Sequence, residues 1–204
     1  MKKFICIQPL RTDLEAAVYQ PQGNPKLDFG KKTCFPIIQV MNGYVKEGEE
    51  IGVLIVRQEN PKQENRGENE KRFDEELHSL VEEKKFRVKE VKYLDIPYDE
   101  GVQTHIDAFR QLIGCIGDDD DLYACLTYGS KTMAITEFIT LRYGEAIRSN
   151  TMVRCVVYGQ KDWSSNTTKM YDVTALLQLA GIVETLAEAK VENAEEIIRR
   201  IIAL

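Results

Sequence analysis

Short apolar runs, separated by stretches with helical period, constrain this chain more than any other feature. They are "KFICIQ" at 3–8, "IGVLIVRQ" at 51–58, "RVKEVKYLDI" at 87–96, "LYACLTY" at 122–128 and "MVRCVVYG" at 152–159. Each has strand length, and several are nearly unbroken by polar residues, which is the pattern of strands covered on both faces. Between them the apolar positions fall at helical spacing. One set follows Pro36, with Ile37, Val40, Met41 and Tyr44; another runs through Phe73, Leu77, Leu80 and Val81. A third holds Ile106, Phe109, Leu112, Ile113 and Ile116, and a fourth holds Ile135, Phe138, Ile139 and Ala146. Strand and helix in alternation predict an α/β fold: a Rossmann-like, mostly parallel sheet with helices on both faces, plus C-terminal helices. Right-handed crossovers then gather the strand C-termini on one edge, where such sheets bind ligands.

Two stretches interrupt the alternation. Residues 11–33, rich in Gly, Pro and Asn, predict an excursion or hairpin after the first strand, and residues 58–69 a polar loop. Both leave the sheet at the ligand edge. At the other end of the chain, "YDVTALLQLAGIVETLAEA" carries a helical stripe, with Asp172 or Thr174 available as its cap. A last helix, "AEEIIRRIIAL", needs a cover for Ile197, Ile198, Ile201 and Ile202. Packing on the domain is one reading of it; a dimer contact or a linker to a further domain is the other.

Charge and cysteine content narrow the partners. With 27 basic and 33 acidic residues the chain carries a net charge of -6, so neither duplex DNA nor a membrane surface is expected as a partner. A small anion needs only a local positive site. Cys6, Cys34, Cys115, Cys125 and Cys155 form no C-x-x-C pair and read as small core residues of a reduced compartment. The short apolar stretch behind Lys2 and Lys3 falls short of a signal peptide, and no window approaches the roughly 18 apolar residues of a membrane span. The expected location is cytoplasmic.

"LTYGSKT" at 126–132 is the segment with chemistry in it. A strand ends, Gly129 allows a tight turn and a close backbone approach, and a helix begins. The first N–H groups of that helix favour negative charge, Ser130 and Thr132 add hydroxyls, and Lys131 adds a point charge. The combination suits a phosphate, although a plain helix cap with an exposed lysine would look the same. It is no Walker A loop, because Ser130 separates Gly129 from Lys131 and position 124 is Ala. The first strand is followed by no G-x-G-x-x-G either, so no dinucleotide and no other cofactor is expected.

The order of these segments resembles that of the CRISPR-associated Rossmann-fold sensor domains, the CARF domains. An early strand ends in a short polar turn; "DLYACLTYGSKTMAI" has the form of a strand followed by a Thr-x-Gly-x-Lys turn. "VRCVVYG" and the "YDVT" helix start come next. The resemblance spans roughly the whole chain. It implies a ligand-sensing domain over 1–172 and a C-terminal helical segment over 173–204. It implies a homodimer whose paired sheet edges hold a cyclic oligoadenylate made in type III CRISPR defence, with four adenylates favoured over six. Binding would regulate an attached or partner effector domain. In the alternative, the chain is a ring nuclease that opens the ligand by metal-independent 2′-OH attack.

Carried onto this chain, the resemblance points to Gln8, Pro9, Leu10 and Arg11 after the first strand. It also points to Thr127, Tyr128, Gly129, Ser130, Lys131, Thr132 and Met133 at the glycine turn. Family members often have a small or glycine-rich turn where this chain has "QPLR", and Pro9 removes one N–H donor. Adenines need stacking faces, for which Tyr128, Tyr158 and Trp163 are candidates, and edge hydrogen bonds, for which Asn166 and Thr167 are. No residue is assigned a catalytic role and no metal site is expected. "GDDDD" at 117–121 reads as a solvated turn, and His78 and His105 as isolated histidines.

Overall fold

A computed structural model of the chain describes residues 1–59, 66–162, 164–165 and 167–203. The five apolar runs form β1 (Lys2–Ile7), β3 (Glu50–Glu59), β4 (Arg87–Pro97), β5 (Asp121–Cys125) and β6 (Met152–Asp162) of a seven-stranded sheet, which two further strands outside those runs, β2 (Tyr19–Gln22) and β7 (Thr167–Asp172), complete. Their order across the sheet is β2-β7-β6-β5-β1-β3-β4. All neighbours are parallel except β6 and β7, which form an antiparallel hairpin. The expected α/β architecture is present.

Among the described residues there are six α-helices, of which α1 (Pro36–Tyr44), α2 (Arg66–Lys84), α3 (Val102–Ile113), α4 (Lys131–Ile147) and the start of α5 (Thr174–Glu188) cover the sheet, while α6 (Ala194–Ile202) packs on α5. One core lies under α1 and α2, where Ile37, Ile38, Met41, Phe73, Leu77 and Leu80 meet Phe4, Cys6, Val53 and Ile55. The second lies under α3, α4 and the start of α5, where Leu112, Met133, Leu141 and Leu177 meet Ile5, Ile7, Leu54 and Ala124. Alternate residues of β1 thus serve opposite layers, as a strand buried on both faces requires. No helix among the described residues is long and apolar enough to cross a membrane.

The chain builds from β1 outward through β3 to β4, then returns across the sheet to β5 and builds outward through β6. The strand order therefore reverses between β1 and β5, and the crevice beyond their carboxyl ends is the topological switch point.

Several expectations are refined. The excursion at 11–33 delivers β2 to the far edge, where it pairs in parallel with β7, and an Ala17–Thr33 bridge closes its base. The polar loop is shorter than 58–69, because β3 runs to Glu59 and α2 starts at Arg66. The fourth helical stripe is wrong: α4 buries Met133, Thr136, Glu137, Thr140, Leu141 and Gly144, and leaves Ile135 and Ile139 59% and 51% exposed. Close packing explains the choice of face, since a Cβ at Gly144 would stand 2.8 Å from Leu122 Cδ1. Asp172 does serve the start of α5, accepting the N–H of Thr174 at 3.0 Å.

All five cysteines are free thiols, and all but the half-buried Cys115 are buried. The aspartate run is not simply solvated. Asp120 is buried against Lys3 at 2.8 Å and accepts the N–H of Gly117, while Asp118 accepts that of Ser149. Among the described residues no cluster of His, Cys, Asp or Glu is arranged to hold a metal ion.

Candidate functional site

The glycine turn sits at the switch point. Gly129 has φ +85°, and a Cβ on it would lie 2.4 Å from Ile7 Cγ2, so both the backbone conformation and the approach to β1 require glycine. Gln58, at the end of β3, locks the next residue: its Oε1 accepts the Ser130 N–H at 2.7 Å and its Nε2 donates to Ser130 Oγ at 3.1 Å. Ser130 then caps α4 by accepting the Met133 N–H at 3.2 Å. Lys131 is exposed at the first helical position and makes no ion pair among the described residues.

The first turn of α4 already carries an anion of the chain's own. Glu100, in the link between β4 and α3, accepts a short hydrogen bond from Thr132 Oγ1 and lies 3.5 Å from His105 Nε2. Hydrogen bonds from Thr132 and Ser130 hold its carboxyl below the usual glutamate value. His105 Nδ1 meets Thr136 Oγ1 at 3.3 Å, which extends this polar seam between α3 and α4.

On the α1 side of the same edge lies a cavity of ≈ 670 Å³. The excursion supplies one wall, including Arg11, Asp13, Glu15, Tyr19 and Lys32; Thr127, Tyr128, Gly159, Lys161 and Thr168 supply the other. A Cβ at Gly159 would stand 2.8 Å from Tyr19 Cε1 and 3.2 Å from Thr127, so this glycine makes room for the wall itself. Thr127 Oγ1 accepts the Gly159 N–H at 2.9 Å. Tyr128 donates its hydroxyl to Cys34 O at 2.7 Å and lies 3.4 Å from the hydroxyl of Tyr19. Burial pushes the Tyr19 hydroxyl up to about 12 and that of Tyr128 further, so both stay neutral donors at any ordinary pH. Arg11 is paired with Asp13 at 2.6 Å and Lys161 with Glu15 at 3.0 Å, whereas Lys32 makes no ion pair among the described residues.

The sequence-predicted residues divide into groups. Arg11, Thr127 and Tyr128 line the cavity. Gly129, Ser130, Lys131 and Thr132 turn the corner from it into α4. Gln8 and Pro9 are buried beneath, their turn held by Asn69, whose Nδ2 donates to Pro9 O at 3.1 Å and Arg11 O at 3.0 Å. Leu10 is half-buried and does not line the cavity. Met133 is fully buried in the core under α4, so its side chain reaches no ligand. Tyr158 is exposed and absent from the cavity wall; strand alternation turns it away from the face on which Gly159 packs. Thr167 starts β7, and its hydroxyl meets Ser165 Oγ at 2.7 Å. Trp163 and Asn166 lie outside the described residues.

Gln58, Asn69, Glu100, Tyr19, Lys32 and Lys161 belong to the site and were not expected there. Only Gly159 left a local signal of the kind that marked Gly129, although it does not end the "VVYG" strand as expected but sits within β6, which runs on to Asp162. No protein-family model matches the chain, and no curated protein sequence matches it.

Proposed function

We propose that this chain is a CARF-type sensor that binds a cyclic oligoadenylate, cyclic tetra-adenylate in preference to the hexa-adenylate, as a homodimer in type III CRISPR defence, and passes the signal to an attached or partner effector. The supporting observation is the pairing, at the switch point of a parallel sheet, of a ≈ 670 Å³ cavity with a lysine, one glycine turn away, that makes no ion pair among the described residues. Tyr128 and Lys131 are three residues apart and so at most about 11 Å from one another. A ring crossing that corner reaches the tyrosine-walled cavity with a base and the start of α4 with a phosphate.

Each part has a chemical task. Tyr128 gives a partly exposed ring, with its own hydroxyl and that of the buried Tyr19 staying protonated beside it, a surface for adenine. Lys131 and the first N–H groups of α4 complement a phosphodiester, as Lys32 does at the cavity rim. A homodimer finds support in the exposed apolar face of α3 and α4, where Val102, Ile106, Ile135 and Ile139 stand uncovered beside Lys131. Two copies joined there put two lysine corners on one axis, which matches the symmetry of a tetra-adenylate ring.

Isothermal titration calorimetry with cyclic tri-, tetra- and hexa-adenylate, and with AMP as a control, tests the reading. The expected result is one cyclic tetra-adenylate bound per two chains, with affinity at least tenfold weaker in Lys131→Ala and the ring recovered intact. Binding of AMP alone makes the site a mononucleotide pocket, and absence of heat with every ring overturns the proposal.

A further inference from the structure

The β6–β7 hairpin has a second face, and the cavity around Tyr128 uses none of it. Strand register sets its content. Across the hairpin Tyr158 is paired with Tyr171 and Gln160 with Lys169, and β2 adds Gln22 beside Tyr171 and Gln20 beside Lys169. Residues paired across a sheet point to the same side, so these six form two adjoining rows on the side opposite Tyr19, Gly159 and Met170. Tyr158 is 43% exposed, the three glutamines are exposed, and Lys169 and Tyr171 are half-buried. Helix α5 packs on β6 but buries only Thr174 and Leu177, and the two rows stay open.

The chemistry of this face is unlike that of the chain as a whole. The net charge is -6, yet neither row contains a carboxylate, and Lys169 makes no ion pair among the described residues. Toward the hairpin tip the rows run into a second cavity, of ≈ 320 Å³, lined by Gln160, Lys161, Asp162, Ser164, Lys169 and Tyr171. Lys161 pairs with Glu15. Asp162 is turned onto the tip, where it accepts the Ser164 N–H at 2.9 Å and the Ser164 hydroxyl at 2.6 Å. We propose that this face binds single-stranded RNA, at a site separate from the cavity around Tyr128. The tyrosine row offers rings on which unpaired bases stack, and a duplex keeps its bases out of reach of them. The glutamine–lysine row lies two residues further along the strands, about 7 Å away. That is within reach of the phosphate belonging to a base stacked on the tyrosines, and Lys169 supplies the charge. Gln22 donates its Nε2 to Pro21 O at 3.0 Å, which leaves its Oε1 to accept a hydroxyl. A ribose 2′-OH provides that hydroxyl and a deoxyribose does not.

Fluorescence anisotropy of the full chain at low salt, with a labelled single strand of RNA of mixed sequence, tests the assignment. Wild type is expected to bind. Tyr158→Ala, at an exposed position, is expected to bind at least fivefold more weakly, and Tyr158→Phe, which keeps the ring, within twofold of wild type. Lys169→Gln is expected to weaken binding and to lower the slope of log affinity against log salt by about 0.7. The same sequence as single-stranded DNA, and the RNA annealed to its complement, are each expected to bind several-fold more weakly. Lys131→Ala is expected to bind the strand as wild type does, so the result stands apart from cyclic oligoadenylate sensing. Absence of binding, a Tyr158→Ala variant that binds as wild type does, DNA or duplex bound as tightly as the single strand, or loss of the RNA in Lys131→Ala would each overturn the proposal.

Discussion

Helices α1 and α4 cover the same central strands from opposite sides and bury very different surfaces. Helix α1 sinks Pro36, Ile37, Ile38, Val40 and Met41 into its core, and its buried Gln39 donates to Tyr19 O at 3.0 Å and to Leu27 O. Helix α4 sinks Thr136, Glu137 and Thr140 beside Met133 and Leu141, and holds two isoleucines outside. The carboxylate oxygens of Glu137 find no hydrogen-bond partner among the described residues, and burial pushes its carboxyl up to about 8. One helix is a structural lid. The other, the helix that begins at Lys131, buries polar residues beside Met133 and Leu141 and holds Ile135 and Ile139 on an outer surface.

Mutations that separate the two helices sharpen this contrast. The largest loss is expected from Met41→Ala on α1, about 3 kcal/mol in urea unfolding, because the side chain is fully buried and leaves a cavity. Gly129→Ala, at the entry to α4, should cost ~2–3 kcal/mol from positive φ together with the clash on Ile7. If Gly129→Ala proved neutral, the turn would not be the rigid corner described above.

Glu137 gives the contrast a pH signature. Its folded value lies near 8 against an ordinary 4.5, so the folded chain holds the proton more tightly than the unfolded one. Its contribution is fully present below about pH 4.5 and is lost as pH rises toward 8, at up to about 1.4 kcal/mol per pH unit. Glu137→Gln is expected to abolish that slope and to gain on the order of 2 kcal/mol at pH 8, read from unfolding curves across pH. A wild-type profile already flat from pH 5 to 8 would mean that the carboxyl is hydrated.

Smaller effects fall on the outer surface of α4. Glu100→Gln removes the carboxylate that Thr132 and Ser130 hold at the helix start, and is expected to tighten cyclic tetra-adenylate binding several-fold with stability unchanged. Weaker binding would make Glu100 a ligand contact instead of a competitor. Ile135→Ala is expected to shift unfolding by about 0.5 kcal/mol or less at sub-micromolar concentration, as exposed positions do.

Much of this arrangement was legible in one dimension because it is local. Alternating runs announced the α/β order, and one glycine between a strand and a helix announced the corner. The stripe on α4 misled because Ile135 and Ile139 have the period of a core face while serving as surface. Helical period records that a face is apolar, not which way it points. The short strands β2 and β7 were missed because "YQPQ" and "TTKMYD" owe their pairing to neighbours across the sheet and not to their own β propensity. Gln58, Asn69 and Glu100 reach the site from β3, from α2 and from the link between β4 and α3, dozens of residues away in the chain from the glycine turn, so no spacing in the sequence linked them to it.

Hydrogen–deuterium exchange of the full chain with and without cyclic tetra-adenylate tests the central claim most directly. Slower exchange concentrated in residues 8–19 and 127–133 and at the end of β6, and diminished in Lys131→Ala, is the predicted result. Protection elsewhere on the molecule, with those three segments exchanging as they do in the free chain, would contradict the account.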